Sequence, residues 1–537
     1  MDRRHVIKNL AMLPIGGSFL SIGNAAQAKA VGPISLDEDI YGSIGVDTII
    51  NCRGTFTIIG GSRERPEVLT AMKAAAGNFI QYDEMAHGIG QRLADITKAE
   101  WGIITAGCAA AMKHATAACV SGGNPEILLR IPDLSQVHKN EVIIPRYSRN
   151  VYDASIRNIG VNIVEVSTPE ELEAAISSKT AMIYITTGRQ SATGQPLSLE
   201  VIAGIAKPKN IPVLVDAAAE NLTIPNVHLE KGATMVAYSG GKAICGPQCA
   251  GILLGQKDIL MSAWQASSPH HGPGRDNKVG KEEMMGMLAA VEAWVTRDHE
   301  QEWKNWENWL EQISAKVTKV KGVTTNVQLP PPDELNNRAP TLQVMWDPNS
   351  LHITGPEMAE YLGRNKPRIA VGGRDNGENN TLITLTPSQM VAAEVPIVAD
   401  RLVEVLSKKR QPKKPMAAPA GSLAGRWSVD IQFFSSTSTH KWYLEQDENW
   451  LMGRHESDFT SQDILGTIEG NEVKLHSTYR EPGKQVQYMF SGKLAGDTLT
   501  GNIHLGEYQT ATFTAKRVTY SPNRKPILIP DGPPLAT

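Results

Sequence analysis

From Glu141 onward the chain alternates short apolar runs with amphipathic stretches. Residues 142–144, 161–166, 181–185 and 212–216 are compact, β-rich runs that predict strands. Residues 153–159, 169–177 and 199–206 between them carry helical periodicity. Fully apolar strands separated by helices indicate a mostly parallel sheet covered on both faces. Ligands of such sheets bind beyond the carboxyl ends of the strands. Upstream, residues 48–51 predict a short strand, and 66–72 and 90–98 predict helices. Residues 101–105 predict a strand that turns at Gly107 into an alanine-rich helix reaching about Val120.

The pattern changes twice downstream. Residues 281–320 read as one long helical region carrying Trp294, Trp303, Trp306 and Trp309, expected to pack on the large domain. Pro330-Pro331-Pro332 interrupts it, and 341–346, 356–362, 368–371, 381–386 and 388–407 alternate as a smaller α+β unit. Residues 411–424 have the composition of a linker. Beyond it, alternating runs separated by turns such as Glu469-Gly470-Asn471 predict about eight short strands, hence a small barrel or sandwich. That module is expected to add stability or bind a partner. The expected division is a signal segment at 1–28, a large domain at 29–320, a small domain at 321–410, the linker, an all-β domain at 425–518 and a Pro-rich tail at 519–537. The fold class is α/β.

Composition narrows this only a little. At 537 residues the chain is too long for one core. A net charge of -3 gives no basic footprint for nucleic acid or an anionic membrane. Five cysteines without a CxxC pair predict no metal site. Arg3, Arg4 and Lys8 precede the apolar stretch 10–22 and then Ala26-Gln27-Ala28. That order predicts a secretory signal, too short to span a bilayer. The paired arginines resemble a twin-arginine export signal, so a periplasmic or otherwise exported protein is expected.

Three features carry the chemistry. Lys242 sits in Ser239-Gly240-Gly241-Lys242, ahead of Gly246-Pro247-Gln248. A lysine held among glycines is a phosphate-binding cation or a Schiff-base amine, unless it is an ordinary surface turn. Gly107 opens a helix of small residues, leaving free amides for an anion. Asp216 closes a predicted strand at the sheet edge where ligands bind. Pyridoxal phosphate needs these three together: amides for its phosphate, a carboxylate for its pyridine nitrogen and a lysine for its aldehyde.

The same stretches resemble a known family, the fold-type I pyridoxal-phosphate enzymes of the selenocysteine-synthase-like group, in the branch typified by D-glucosaminate-6-phosphate ammonia-lyase. The motifs are Ile49-Ile50-Asn51, Gly60-Gly61-Ser62, residues 104–111, Val215-Asp216 with Glu220, Ser239-Gly240-Gly241-Lys242 with Gly246-Pro247-Gln248, and Pro269-His270-His271-Gly272 with Gly274-Arg275 and 278–282. They fall in the family's order over roughly residues 38–410. The resemblance implies that Lys242 is the aldimine lysine and a catalytic proton carrier. It implies that Asp216 pairs with the pyridine nitrogen, that Gly107, Cys108, Ala109 and Ser239 hold the phosphate, and that Gln248 borders the cofactor. His270 and His271 are the further catalytic candidates. Arg275, Lys278, Tyr152 and Arg53 are the substrate-binding candidates, some of them offered to a neighbouring subunit. The resemblance also implies a homodimer or higher homo-oligomer.

Four departures from the family pattern stand out: Arg53 after Asn51-Cys52, Cys108 in place of a small residue, Cys245 in place of an arginine, and Thr386-Pro387 in place of Asn-Pro. Losing an arginine beside Lys242 argues against a phosphorylated substrate. The reaction expected is elimination at Cα of a small amino acid or amino-sugar acid. A racemase or epimerase, or an aminotransferase-like transferase, is the alternative. Racemisation would need a second acid such as His270, Tyr147 or Tyr152. A non-catalytic binding protein is the remote reading.

Overall fold

The computed structural model describes residues 40–519 except Glu378, together with Ile34 and Leu36. The expected signal segment and the tail beyond Val518 lie outside the described residues, Thr519 excepted. Contacts divide the chain near Lys413 into an amino-terminal body and a carboxy-terminal unit.

The body is built on a seven-stranded sheet. Its strands are β1 (Trp101–Thr105), β2 (Glu141–Pro145), β3 (Asn162–Val166), β4 (Thr180–Thr186), β5 (Val213–Asp216), β6 (Met235–Ser239) and β7 (Gly251–Gly255). They lie in the order β1-β7-β6-β5-β4-β2-β3. Strands β3, β2, β4, β5 and β6 pair in parallel, while β7 runs antiparallel to both β6 and β1. Val142–Ile144, Met182–Ile185 and Val213–Val215 are almost wholly buried, as runs of apolar side chains covered on both faces should be. The sheet therefore ends in one row at Thr105, Thr186, Asp216 and Ser239.

Helix α1 (Gly107–Ser121) follows β1 and buries most of its length against the sheet, with Ala111, Met112, Ala115 and Ala118 in the core. The helix expected at 90–98 starts earlier, at Tyr82, and runs to Thr97, with the Gln81 side chain accepting from the Glu84 amide. Gly90 is not a breaker there. A Cβ on it would stand 2.3 Å from Trp101 Cε2, so glycine lets the helix lie against β1.

The long helical region at 281–320 is two helices, α2 (Lys281–Thr296) and α3 (His299–Val317). The chain breaks where Asp298 caps α3 by accepting from the Gln301 amide. Only α2 packs on the large core. Helix α3 buries Leu310, Ile313 and Val317 in a second core, built on the four-stranded sheet of Val323–Gln328, Thr341–Trp346, Thr381–Leu385 and Gly372–Asp375. That core also takes Cys52, because Ile50–Asn51 pairs in parallel with Ile369–Ala370. The segment expected to be helical from 388 is a 3-10 turn, Pro387–Gln389, followed by the helix Glu394–Ser407.

The carboxy-terminal unit is a closed barrel of eight antiparallel strands, from Gly425–Gln432 to Thr510–Arg517. Closure removes every sheet edge. Trp427, Trp442, Phe490 and Phe513 fill the interior with aliphatic side chains around them. One end of the interior is polar instead. There His440 Nδ1 lies 2.9 Å from His455 Nε2, and His455 Nδ1 lies 2.6 Å from Ser477 Oγ.

Candidate active site

Asp216 terminates β5 with its side chain almost fully buried. A buried carboxylate needs donors, and three reach it. The Cys108 thiol donates to Oδ1 at 3.4 Å, the Ala218 amide donates to the same oxygen at 3.1 Å, and the Tyr184 hydroxyl donates to Oδ2 at 3.1 Å. The orientation of the tyrosine hydroxyl is set from behind. Asn150 Nδ2 donates to Thr186 Oγ1 at 3.0 Å, and Thr186 Oγ1 lies 2.9 Å from Tyr184 Oη. With the asparagine donating, the hydroxyl protons line up toward Asp216. Burial, followed by the Asp216 charge, pushes both Tyr184 and Cys108 well above their ordinary pKa values. Both thus stay protonated and remain donors.

Helix α1 begins beside this carboxylate. Gly107 has φ +80, and nothing stands within 4 Å of where a Cβ would be. The helix has no side-chain cap, so its first amides are free for an anion, and Ala109 near its start is exposed. Cys108, between them, faces inward to Asp216. Ser239 ends β6 in the same row, partly buried.

Lys242 lies three residues past β6. The loop carrying it is pinned by the Ser62 amide donating to Gly241 O at 2.9 Å, and by Gly246 N donating to Gly240 O at 2.8 Å. Gln248 packs under the loop and donates from Nε2 to Thr57 O at 3.2 Å. Lys242 is half-buried; its carbonyl accepts from the Cys245 amide at 3.0 Å, while its side-chain amine forms no hydrogen bond or ion pair with a described residue. Its charge weighs on the Cys108 thiol, which places the amine in electrostatic reach of the Asp216 cluster.

A cavity of about 1170 Å³ opens over Lys242 and Cys245. Arg53 and Tyr152 line it. Arg53 stacks 4.2 Å over Phe56. Cys245 leaves no shortage of cations, since Arg297 and Arg338 line the same cavity. His270, His271, Arg275 and Lys278 do not line it within their own chain. His270 Nε2 is 3.1 Å from Asp83, and Arg275 donates to Ser268 Oγ at 3.1 Å. His271 and Lys278 are exposed on the segment before α2.

Sequence reasoning missed Tyr184, Thr186 and Asn150. It also missed the part of the cavity formed by Trp303 and Trp306. A tyrosine inside an all-apolar strand was the available signal, because a buried hydroxyl needs a partner. The row of uncapped amides, buried carboxylate and half-buried lysine along one sheet edge fits pyridoxal phosphate. The α1 amides would take the phosphate, Asp216 the pyridine nitrogen and Lys242 the aldehyde.

Comparison with known proteins agrees. The Aminotransferase class-V family model matches residues 138–277. A D-glucosaminate-6-phosphate ammonia lyase from Salmonella typhimurium is 28% identical over 376 residues, covering 68% of this chain and 98% of the relative. A 5'-C-glycyluridine monooxygenase-decarboxylase from a Streptomyces species is 27% identical over 340 residues, covering 61% of this chain and 83% of the relative. A solved D-glucosaminate-6-phosphate ammonia-lyase structure superposes with a TM-score of 0.61 at 26% identity, over 68% of this chain and 98% of that one. The chain is thus a fold-type I pyridoxal-phosphate enzyme with a class-V aminotransferase domain, similar to D-glucosaminate-6-phosphate ammonia-lyase over 68% of its length, and it carries an added carboxy-terminal β-barrel.

Proposed function

We propose that the chain is a lyase that removes the amino group of a small amino acid or amino-sugar acid by elimination at Cα. The observation that carries this is the half-buried Lys242 amine, without a partner among the described residues, at the floor of the cavity and in electrostatic reach of Asp216. Bound pyridoxal phosphate supplies an electron sink that acidifies the hydrogen on the amine-bearing carbon.

The protein's part is to place charge and move protons. Asp216, fixed by Tyr184, Cys108 and the Ala218 amide, holds a negative charge where the cofactor's ring nitrogen would sit. Lys242 Nζ takes the Cα proton, since an amine with no competing partner is free to turn toward substrate. Arg53 lies on the cavity wall and pairs with a substrate carboxylate. The hydroxyl on the neighbouring carbon then leaves as water, taking up the proton that Lys242 removed, and the released enamine tautomerises and adds one water to give a keto acid and ammonia. The lyase among the relatives supports elimination over the alternatives.

Of the three acids a racemase would use, only Tyr152 lines the cavity. Tyr147 donates to Leu197 O and is held protonated by burial, and His270 is engaged by Asp83 and Trp264. The paired arginines near the start support export. The family resemblance supports a homodimer.

The test is incubation of the holoenzyme with amino acids and amino-sugar acids in deuterated water. Release of keto acid and ammonia is expected. Deuterium at Cα of recovered, inverted substrate without ammonia would show a racemase and refute the lyase.

A further inference from the structure

The cavity extends past Lys242 to residues of helix α3. At about 1170 Å³ it has room for the cofactor and a substrate together. Its far wall is helix α3. Trp303 and Trp306 lie one turn apart on that helix, both half-buried, with ring centroids 6.1 Å apart and planes tilted by 53°. Trp309, the next along, turns instead into the second core. Trp306, and the part of Trp303 that Arg338 does not cover, therefore leave apolar surface toward the cavity, although indole rings are normally packed away.

Polar groups ring these faces. Arg338 stands 5.3 Å from the Trp303 ring and is itself held by the Pro331 and Glu334 carbonyls. Glu307, Asn221 and Asn337 line the same space. Flat apolar surface alternating with fixed donors and acceptors suits a ring that has C–H faces and hydroxyl edges. A purely apolar ligand would leave the Glu307 carboxylate without a partner.

We infer that Trp303 and Trp306 form a subsite for a hydroxylated ring that the substrate carries beyond its reacting amine. The chemical class is an amino acid or amino-sugar acid that carries a glycosidic ring, larger than a free amino acid or an acyclic sugar acid. This rests on the assignment of the Lys242 cavity as the reaction site and adds what binds at its outer end.

The test uses holoenzyme and four probes: serine, phenylalanine, acyclic D-glucosaminate and the disaccharide acid in which D-glucosaminate carries a β-1,4-linked glucosamine ring. Binding is followed by calorimetry and by quenching of tryptophan fluorescence. The disaccharide is expected to bind at least about tenfold more tightly than D-glucosaminate, and to quench. Trp303→Ala and Trp306→Ala are expected to remove that advantage while changing serine binding less than about twofold. Trp303→Phe is expected to keep part of it, which separates stacking from a folding defect. Equal binding of the disaccharide and D-glucosaminate, or an unaltered preference in both alanine variants, would overturn the subsite. A preference for phenylalanine over the disaccharide would overturn the hydroxylated ring. A colourless protein that still binds the disaccharide through these tryptophans would overturn the cofactor site and leave the subsite standing.

Discussion

The Tyr184 hydroxyl donates a 3.1 Å hydrogen bond to Asp216 Oδ2 from within the buried stretch 181–185, whose other side chains are apolar. Two adjacent parallel strands thus place a donor and a carboxylate in register, with Thr186 opposite Asp216 across the pair. A buried hydrogen bond to a charged group contributes about 1.5–3 kcal/mol. Tyr184→Phe removes it without opening space. We expect cofactor affinity, from an absorbance titration, to fall roughly tenfold or more by the same energies, with the fold retained. Unchanged affinity would show that Asp216 does not need this support.

Gly107 tests the anion site. At φ +80 an alanine is strained by roughly 1–2 kcal/mol, although no neighbour blocks its Cβ. Gly107→Ala should therefore act through the backbone, turning the first α1 amides away from the phosphate. We expect weaker cofactor binding and a slightly lower melting temperature. A loss of stability with cofactor affinity intact would place the phosphate elsewhere.

Cys108 and Cys249 should differ in reactivity. Cys108 is buried and held protonated by burial and by the Asp216 charge. Cys249 is exposed, with a smaller upward shift. Alkylation of the native holoenzyme at mildly alkaline pH, mapped by peptide mass, should label Cys249 well before Cys108. Faster labelling of Cys108 would contradict the Asp216 cluster as described.

The barrel carries its own pH dependence. Burial, reinforced by His440, lowers His455 to about 3, and burial also lowers His440. A folded pKa below the unfolded value near 6.5 favours the neutral ring in the native state. The unfolded chain then binds more protons, so stability is full above about pH 6.5 and declines as pH falls toward 3. Melting of the full chain across this range should show the barrel transition dropping with acid, and His455→Asn should flatten that drop. A pH-independent transition would mean the pair is not buried as a neutral unit.

The parallel sheet was legible because each strand is a closed apolar run, and Lys242, Asp216 and Gly107 because glycine and charge punctuate those runs. The barrel was legible only as barrel or sandwich, since alternation sets the buried face and not closure. The split of 281–320 was not legible, because Arg297-Asp298 lacks glycine or proline and only the Asp298 cap marks it. The α3 tryptophans escaped for a related reason. One helix offers Trp309 to a core and Trp303 and Trp306 to a cavity, and periodicity cannot distinguish the two.

The central claim is that Lys242 carries the cofactor. Purified holoenzyme should be yellow, and reduction with borohydride should fix the cofactor on one peptide, the one containing Lys242. Lys242→Ala should lose both the attachment and the activity while keeping its melting profile. Attachment to another lysine, or none in a protein that still turns over substrate, would contradict the account.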